Sequence, residues 1–188
     1  MIEVGIIETN KYFHRKPVLF LDLDGTVRES ASGKKFIKDV NDIKIRPYVL
    51  PTLHYYKKKG FAIVAITNQG SIAFGIKTNE DVIAELEKTD ALCEGLFDSM
   101  HYCPTHEKGS VYPYDTKSLD RKPHTGMISG AERVLLTQHF TQIDYGKSIF
   151  VGDRLEDEEC AKRAGIQFIW EYNFFMATLK QESFERGF

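Results

Sequence analysis

Four short runs of consecutive apolar residues constrain the fold of this chain more than any other feature. They cover residues 18–23, 61–67, 148–151 and 166–170, and a weaker strand candidate covers residues 98–103. Uninterrupted apolar runs of this length are typical of strands that are covered on both faces, as in parallel sheets. The sequence therefore predicts a central parallel sheet built from these segments.

Segments with helical periodicity alternate with the apolar runs. They cover roughly residues 51–59, 78–86, 127–135, 156–164 and 171–188. Thr78 and Asp81 have the spacing of a capping box, and Gly165 stands where a helix would end. Strands that alternate with helices imply right-handed crossovers. We therefore predict an α/β, doubly wound, Rossmann-like fold of three layers.

Two polar segments interrupt this alternation, residues 28–42 and residues 104–121. The first is too short to form a separate cap domain, so we expect a minimal cap. The second is long and irregular, which is typical of a functional loop. We predict one domain over residues 1–188, in which these two segments are the substrate-specificity loops.

Bulk composition bounds the class of protein. A net charge of −2 over 188 residues argues against a strongly basic nucleic-acid binder. The three cysteines are odd in number and widely spaced, which favours a reducing compartment over a disulfide framework. The sequence shows neither a secretion signal nor an apolar stretch long enough to span a bilayer. We expect a cytoplasmic protein without membrane association, present as a monomer or weak oligomer.

Residues with useful chemistry follow the predicted strands. They are Asp22 and Asp24, Thr67 and Asn68, and Asp153 and Asp157, and Lys122 precedes a predicted helix. In doubly wound sheets, ligands bind at the carboxyl ends of the strands, so these side chains are expected at one edge. A carboxylate cluster repels itself, and Mg²⁺ suits carboxylates together with phosphate oxygens. An aspartate can attack phosphorus, and a second carboxylate can protonate the leaving oxygen and then activate water.

Several of these residues also have a simpler interpretation. Asp153 and Asp157 would be favourable acids at a helix N-terminus. Thr67 would serve as an ordinary strand-end residue, and Lys122 as a solvated surface lysine. We prefer a metal role for Asp153 because three carboxylates at one edge require a cation. For Asp157 the two interpretations remain open.

Four motifs together resemble those of the haloacid dehalogenase (HAD) superfamily. They are DLDGT after a strand, ITN after a strand, RKP before a helix, and VGDRLED after a strand. Within this superfamily, the chain resembles the compact, minimal-cap branch that includes D-glycero-D-manno-heptose 1,7-bisphosphate phosphatase and histidinol phosphatase. TNQG with a following FG, YCP, and RKPHTGM are closer to the heptose enzyme.

The resemblance implies a role for each matched residue. Asp22 would be the nucleophile and Asp24 the general acid and base, while Thr67 and Lys122 would hold the phosphoryl group. Mg²⁺ would be bound by Asp22, the backbone carbonyl of Asp24, and Asp153, with Asp157 behind these ligands. Asn68, Gln69 and Arg121 would line the substrate site. The implied activity is hydrolysis of a sugar phosphate or similar small phosphomonoester, such as a heptose bisphosphate, through an aspartyl-phosphate.

The chain departs from the heptose branch in the loop that often binds zinc there. Where that branch has Cys-x-His and Cys-x-Cys, this sequence has Cys103 with Thr105 and Ser118 with Asp120. Structural zinc needs about four ligands. Cys103, His101, His106 and Asp120 offer a substitute set, but we expect a loop held by packing and hydrogen bonds without structural Zn²⁺.

Two other functions stay open at this point. SGKKF and the acidic stretch through Asp42 are similar to polynucleotide 3′-phosphatases, in which case Arg28, Lys34, Lys35 and Lys38 would meet a nucleic-acid backbone. The mildly acidic chain lacks an evident aromatic stacking platform, which argues against this alternative. The remaining alternative is a catalytically silent phosphate-binding protein, against which the intact acids and Lys122 argue.

Overall fold

The computed structural model describes residues 14–185, and the side chains of residues 14–181. The strands are His14–Lys16 (β1), Val18–Leu21 (β2), Arg28–Ser30 (β3), Ile43–Ile45 (β4), Ala62–Asn68 (β5), Ser99–Cys103 (β6), Thr141–Ile143 (β7), Ile149–Gly152 (β8) and Gln167–Trp170 (β9). The helices are Val49–Lys58 (α1), Asn79–Leu92 (α2), Gly126–His139 (α3), Leu155–Ala164 (α4) and Glu171–Glu185 (α5).

The central sheet has the strand order β6-β5-β2-β8-β9, and all neighbouring strands are parallel. Its five strands are the five segments predicted from the sequence. Strand β2 lies in the middle, where Leu21 is in register with Ala65 of β5 and with Val151 of β8. The chain leaves β2 to one side and later returns on the other, so the sheet has its topological switch point there.

Helices cover both faces of the sheet, which confirms the predicted three layers. Helices α3 and α4 pack on the face that carries Phe20, Val64 and Phe150. Helices α1, α2 and α5 belong to the opposite layer, whose core includes Leu19 and Leu21. All four residues of β2 are fully buried, as expected for a strand without a solvent face.

Two helix ends follow the predicted local chemistry. The Asp81 backbone N–H donates to Thr78 Oγ1 (3.1 Å), and the Thr78 N–H donates to Asp81 Oδ2 (2.8 Å), which completes the capping box of α2. Gly165 ends α4 with a φ of 69°, a left-handed conformation in which a side chain would be strained.

The segment predicted as a loop over residues 28–42 is partly regular. Strands β3 and β4 pair as a short antiparallel hairpin, so treating the whole segment as loop was wrong. Each strand has three residues, which is too short for an alternation of apolar and polar residues to stand out. The connection is closed by Asp42, which accepts hydrogen bonds from the N–H groups of Ser32 (2.8 Å) and Lys38 (3.0 Å).

Residues 104–121 are irregular, as predicted. They are joined to the loop after β5, because the N–H groups of Ser110 and Val111 both donate to the carbonyl of Ala73 (2.8 and 3.1 Å). The two loops therefore form one layer beside the carboxyl end of β5.

Some sequence predictions lie at the edge of the described region. The prediction about a secretion signal concerns an N-terminal segment that lies outside the described residues. Residues 186–188 of the predicted last helix lie outside them as well. In the described part, no helix combines the length and the apolar character needed to cross a bilayer. The three cysteines are all buried and free.

Candidate active site

The turn after β2 places two carboxylates at the carboxyl end of the sheet. The Asp22 N–H donates to the carbonyl of Val151 (3.0 Å) and so continues the pairing of β2 with β8. The chain then turns, because the N–H groups of Val27 and Arg28 both donate to the carbonyl of Leu23 (2.9 Å each). Asp22 is buried by this arrangement, whereas the Asp24 side chain stays 37% exposed.

Lys122 enters the site from the segment that precedes α3, and Asn68 fixes it there. The Lys122 N–H donates to Asn68 Oδ1 (3.0 Å), and Asn68 Nδ2 donates to the Lys122 carbonyl (3.1 Å). The Lys122 ammonium is buried and lies 2.5 Å from Asp22 Oδ1 and 2.6 Å from Asp157 Oδ1. It also donates to the carbonyl of Ile66 (2.9 Å). The solvated-surface interpretation of Lys122 is therefore wrong.

Three carboxylates meet beside this ammonium. Asp22, Asp153 and Asp157 each bring one oxygen into a group whose atoms all lie within 4.8 Å of one another. Among the described residues none donates a hydrogen bond to the buried Asp153 Oδ1, and Arg154 Nε is 3.8 Å away. Three clustered carboxylates, two of them paired with Lys122 and the third with an unsatisfied oxygen, form a donor set that suits a hard cation.

Gly25 leaves the space that this cluster needs. Its φ is 98°, and a Cβ at this position would overlap the carboxylate of Asp153. Glycine is therefore required at this position of the DLDGT segment both by the backbone conformation and by the lack of space for a side chain.

Asp157 has contacts that are compatible with both interpretations that the sequence left open. Its Oδ2 accepts a hydrogen bond from the Arg154 N–H (3.1 Å) at the N-terminus of α4. Its Oδ1 pairs with Lys122 Nζ (2.6 Å), and Asp157 is one of the three clustered carboxylates. Asp157 is thus both a helix-terminus acid and a neighbour of Asp22.

Burial disfavours the charged forms of the aspartates in this site. Burial raises the pKa of Asp22 to about 7, against the opposing effect of Lys122. Burial by itself would lower the pKa of Lys122, but the carboxylates of Asp22 and Asp157 outweigh it and raise that pKa. Burial also raises the pKa of Asp153. A bound cation would relieve all three carboxylates.

Asp24 is held by donors on both of its oxygens. Arg28 Nε donates to Oδ1 (2.7 Å), and Gln69 Nε2 donates to Oδ2 (2.7 Å). Burial would raise the pKa of Asp24, but Arg28 and the hydrogen bond from Gln69 hold it below its usual range. Gln69 Nε2 also donates to Thr67 Oγ1 (3.0 Å), so Gln69 links two of the predicted site residues.

Arg28 is a site residue that the sequence analysis missed in this role. As a contact to a nucleic-acid backbone it was a wrong prediction, since its side chain is fully buried. Its Nη1 donates to the carbonyl of Glu85 (3.1 Å) and to Thr89 Oγ1 (2.8 Å). The one available signal was an acid and a base four residues apart, Asp24 and Arg28.

Arg121 lies at the border between the site and the irregular loop. Its Nη1 donates to the carbonyl of Thr105 (3.0 Å), and the same atom would stand 3.3 Å from a Cβ at Gly70. The other predicted residues are linked by direct contacts: Asp22, Lys122 and Asn68 in one set, and Asp24, Gln69 and Thr67 in another.

The residues considered for zinc have other contacts. Cys103 Sγ is 3.2 Å from Thr105 Oγ1, and His101 Nε2 is 3.1 Å from Ser99 Oγ. Within residues 14–181, the only acid, histidine and cysteine side chains gathered closely enough to hold one ion are the three aspartates described above.

The chain is similar to known phosphatases over most of its length. The family model described as polynucleotide kinase 3 phosphatase matches residues 17–175. The D-glycero-beta-D-manno-heptose-1,7-bisphosphate 7-phosphatase of Escherichia coli K12 is 33% identical over 153 residues, which are 80% of this chain and 75% of that protein. The corresponding phosphatase of Chlorobaculum tepidum is 35% identical over 155 residues, 81% of this chain and 76% of that protein.

Solved structures have the same fold. A protein from Mesorhizobium loti classed as a HAD-like phosphatase has a TM-score of 0.70 and 31% identity, and covers 83% of this chain and 72% of its own. The D,D-heptose 1,7-bisphosphate phosphatase of B. bronchiseptica, solved with magnesium and phosphate, has a TM-score of 0.64 and 24% identity, over 81% of this chain and 78% of its own. With these matches over most of its length, the chain belongs to the polynucleotide kinase 3 phosphatase family of the HAD superfamily, and it is a phosphoric monoester hydrolase.

Proposed function

We propose that this enzyme is a Mg²⁺-dependent phosphomonoesterase that works through an aspartyl-phosphate on Asp22. The substrate would be a small sugar phosphate, with D-glycero-D-manno-heptose 1,7-bisphosphate as the first candidate. The observation that carries the mechanism is the buried Lys122 ammonium 2.5 Å from Asp22, at a sheet edge shared with Asp153 and Asp157. The candidate substrate comes from the names of the relatives.

Two carboxylates divide the chemistry. Asp24 is held as a carboxylate by Arg28 and Gln69, so it must first take up a proton from solvent or from the substrate phosphate. An Asp22 oxygen then attacks phosphorus as the bond to the leaving oxygen breaks, and Asp24 gives that proton to the leaving oxygen. Asp24, now a carboxylate, takes a proton from water, which attacks phosphorus and breaks the bond to Asp22. Inorganic phosphate leaves and Asp22 is regenerated. Lys122 and Thr67 would hold the transferring group through its equatorial oxygens.

The acidic cluster fits a magnesium ion. Asp22, Asp153 and the backbone carbonyl of Asp24 would hold it, and the unsatisfied Oδ1 of Asp153 supports this assignment. When bound, the ion would neutralise charge on the phosphate oxygens. Asp157 would lie between the ion and Lys122, where its negative charge would partly neutralise both positive charges.

Polynucleotide 3′-phosphatase activity is the second candidate, because the matching family model carries that description. With Arg28 buried, the basic side chains left for a nucleic-acid backbone in the first loop are the exposed Lys34, Lys35 and Lys38. We therefore keep the small phosphorylated substrate as the main proposal. The three buried, free thiols support a reducing compartment, so we propose that the enzyme is cytoplasmic.

Phosphate release from 4-nitrophenyl phosphate tests the reaction. We expect turnover with Mg²⁺ that is lost with EDTA and with Asp22→Asn. An Asp22→Asn protein as active as wild type would refute the assignment of the nucleophile. The matched control is Asp144→Asn, a partly buried aspartate that pairs with Lys147 away from the site.

The ratio of kcat/KM between substrates tests the specificity. We expect the heptose 1,7-bisphosphate to exceed a 3′-phosphorylated oligonucleotide. The opposite order, with an activity on the oligonucleotide that falls steeply with salt, would favour the second candidate.

A further inference from the structure

We propose that Arg28 is a positioning residue for proton transfer, because it fixes the orientation of the Asp24 carboxyl group relative to helix α2. This inference rests on the proposed acid and base role of Asp24. The guanidinium does not touch the transferring phosphoryl group in this assignment. It acts only through Asp24.

The first argument is the geometry around Asp24. Each carboxyl oxygen has its own donor at 2.7 Å, Arg28 Nε on Oδ1 and Gln69 Nε2 on Oδ2. Two donors on different oxygens fix the rotation of the carboxyl plane, which one donor cannot do. The Asp24 side chain is 37% exposed whereas that of Arg28 is fully buried, so part of Asp24 remains accessible while its anchor lies in the interior.

The second argument is that Arg28 is itself held from several sides. Nη1 donates to the Glu85 carbonyl (3.1 Å) and to Thr89 Oγ1 (2.8 Å), both on helix α2. The Thr89 hydroxyl in turn donates to the Glu85 carbonyl (2.7 Å). A planar guanidinium can make these contacts together, and a lysine ammonium cannot.

The third argument is charge balance in a buried place. Glu85 is buried with one oxygen 2.5 Å from Lys77 Nζ and the other 3.8 Å from Arg28 Nη2. Acid and base therefore alternate in the order Asp24, Arg28, Glu85, Lys77. Removing one partner of a buried ion pair leaves an uncompensated charge, so this series links the turn after β2 to α2 through charge, although Arg28 Nη2 and Glu85 Oε2 make no hydrogen bond with each other.

The consequence concerns the leaving group. An alkoxide is a strong base and needs the proton from Asp24 as the bond to phosphorus breaks. A 4-nitrophenolate leaves without it. Loss of the Asp24 orientation should therefore reduce hydrolysis of an alkyl phosphate more than that of 4-nitrophenyl phosphate.

The test compares kcat/KM for a primary alkyl phosphate and for 4-nitrophenyl phosphate in wild type, Arg28→Lys and Asp24→Asn. General acid catalysis contributes about 10²–10⁴-fold, so a partial loss of orientation should cost the alkyl substrate at least about tenfold more than the aryl one. In the double variant, Arg28→Lys should add little to Asp24→Asn, since both remove one function. The matched control is Arg163→Lys, a half-exposed arginine on α4 paired with Glu159.

The inference would be overturned if Arg28→Lys lowered kcat/KM equally for the two substrates. It would also be overturned if the double variant lost activity by the product of the two single losses, which would leave Arg28 with a structural role. If Arg28→Lys does not fold, as judged by thermal unfolding, Thr89→Val removes one anchor of the guanidinium at constant shape and should show the same selectivity in smaller measure. Failure of the proposed function looks different, because wild type would then be inactive or Asp24→Asn would show no selectivity for the leaving group.

Discussion

Replacing Lys122 by methionine should destabilise the metal-free enzyme strongly. The change removes a buried ammonium and leaves Asp22 and Asp157 without their common partner. Removing one member of a buried ion pair costs about 3–5 kcal/mol, because the remaining charge stays desolvated. For a domain of this size 1 kcal/mol corresponds to roughly 2–4 °C, so we expect the melting temperature to fall by roughly 6–20 °C.

The assay is thermal unfolding in EDTA, followed by the same measurement with saturating Mg²⁺. The loss should shrink with Mg²⁺, because the ion replaces part of the missing positive charge beside the carboxylates. Adding Asp157→Asn to Lys122→Met should restore part of the stability without metal, since it removes one of the two orphaned charges. Lys162→Met, at an exposed position on α4, is the matched control.

The reasoning would be refuted if Lys122→Met unfolded within about 2 °C of wild type in EDTA, which is less than 1 kcal/mol. It would also be refuted if Asp157→Asn made the variant still less stable. Loss of activity in Lys122→Met is expected at about 10²–10³-fold, as for other single donors to a reacting oxyanion.

Three further predictions follow from the same site and core. Because the pKa of Asp22 is raised, the folded, metal-free protein holds a proton on Asp22 that the unfolded chain releases. The free energy of unfolding should therefore fall as pH rises from 3.8 to about 7. Urea unfolding at several pH values measures this slope, and Mg²⁺ should remove it. Gly25→Ala places a side chain at a φ of 98° and against Asp153, and should cost about 1–3 kcal/mol while abolishing the Mg²⁺-induced rise in melting temperature. Burial raises the pKa of Cys93 to about 12 and that of Cys160 to about 11, so a disulfide reagent at neutral pH should label neither thiol in the native protein and both after unfolding in guanidinium.

The sequence was sufficient to predict the central sheet and the convergence of its strand ends. Apolar runs such as 61–67 lack the alternating polar residues that could face solvent, and this pattern can be seen in the local sequence. Because parallel strands place their carboxyl ends at one edge, Asp22 and Asp153 could be expected together although 131 positions separate them. The family resemblance added the roles, since the pattern alone gives only a cluster of acids and a lysine.

The support around Asp24 could not be predicted for a physical reason. Arg28 meets Glu85 and Thr89 only because α2 packs beside the turn after β2, and no local pattern encodes that packing. Gln69 is predicted to line the substrate site, and nothing in the sequence indicated that its side-chain amide would also donate to Asp24. The hairpin over residues 28–45 was missed because its two strands are too short to show an alternation.

The tip of that hairpin has a consequence for protein engineering. Asp42 accepts hydrogen bonds from Ser30, the last residue of β3, and from Ser32 and Lys38 in the connection. The tip is therefore held by hydrogen bonds to one of its own residues. Arg28, at the base of the hairpin, is buried and donates to Asp24. Residues 33–36 are exposed and lie between these contacts, so this is the part of the connection that we expect to tolerate exchange or lengthening. A designer could graft new recognition segments there and leave the hydrolytic machinery intact.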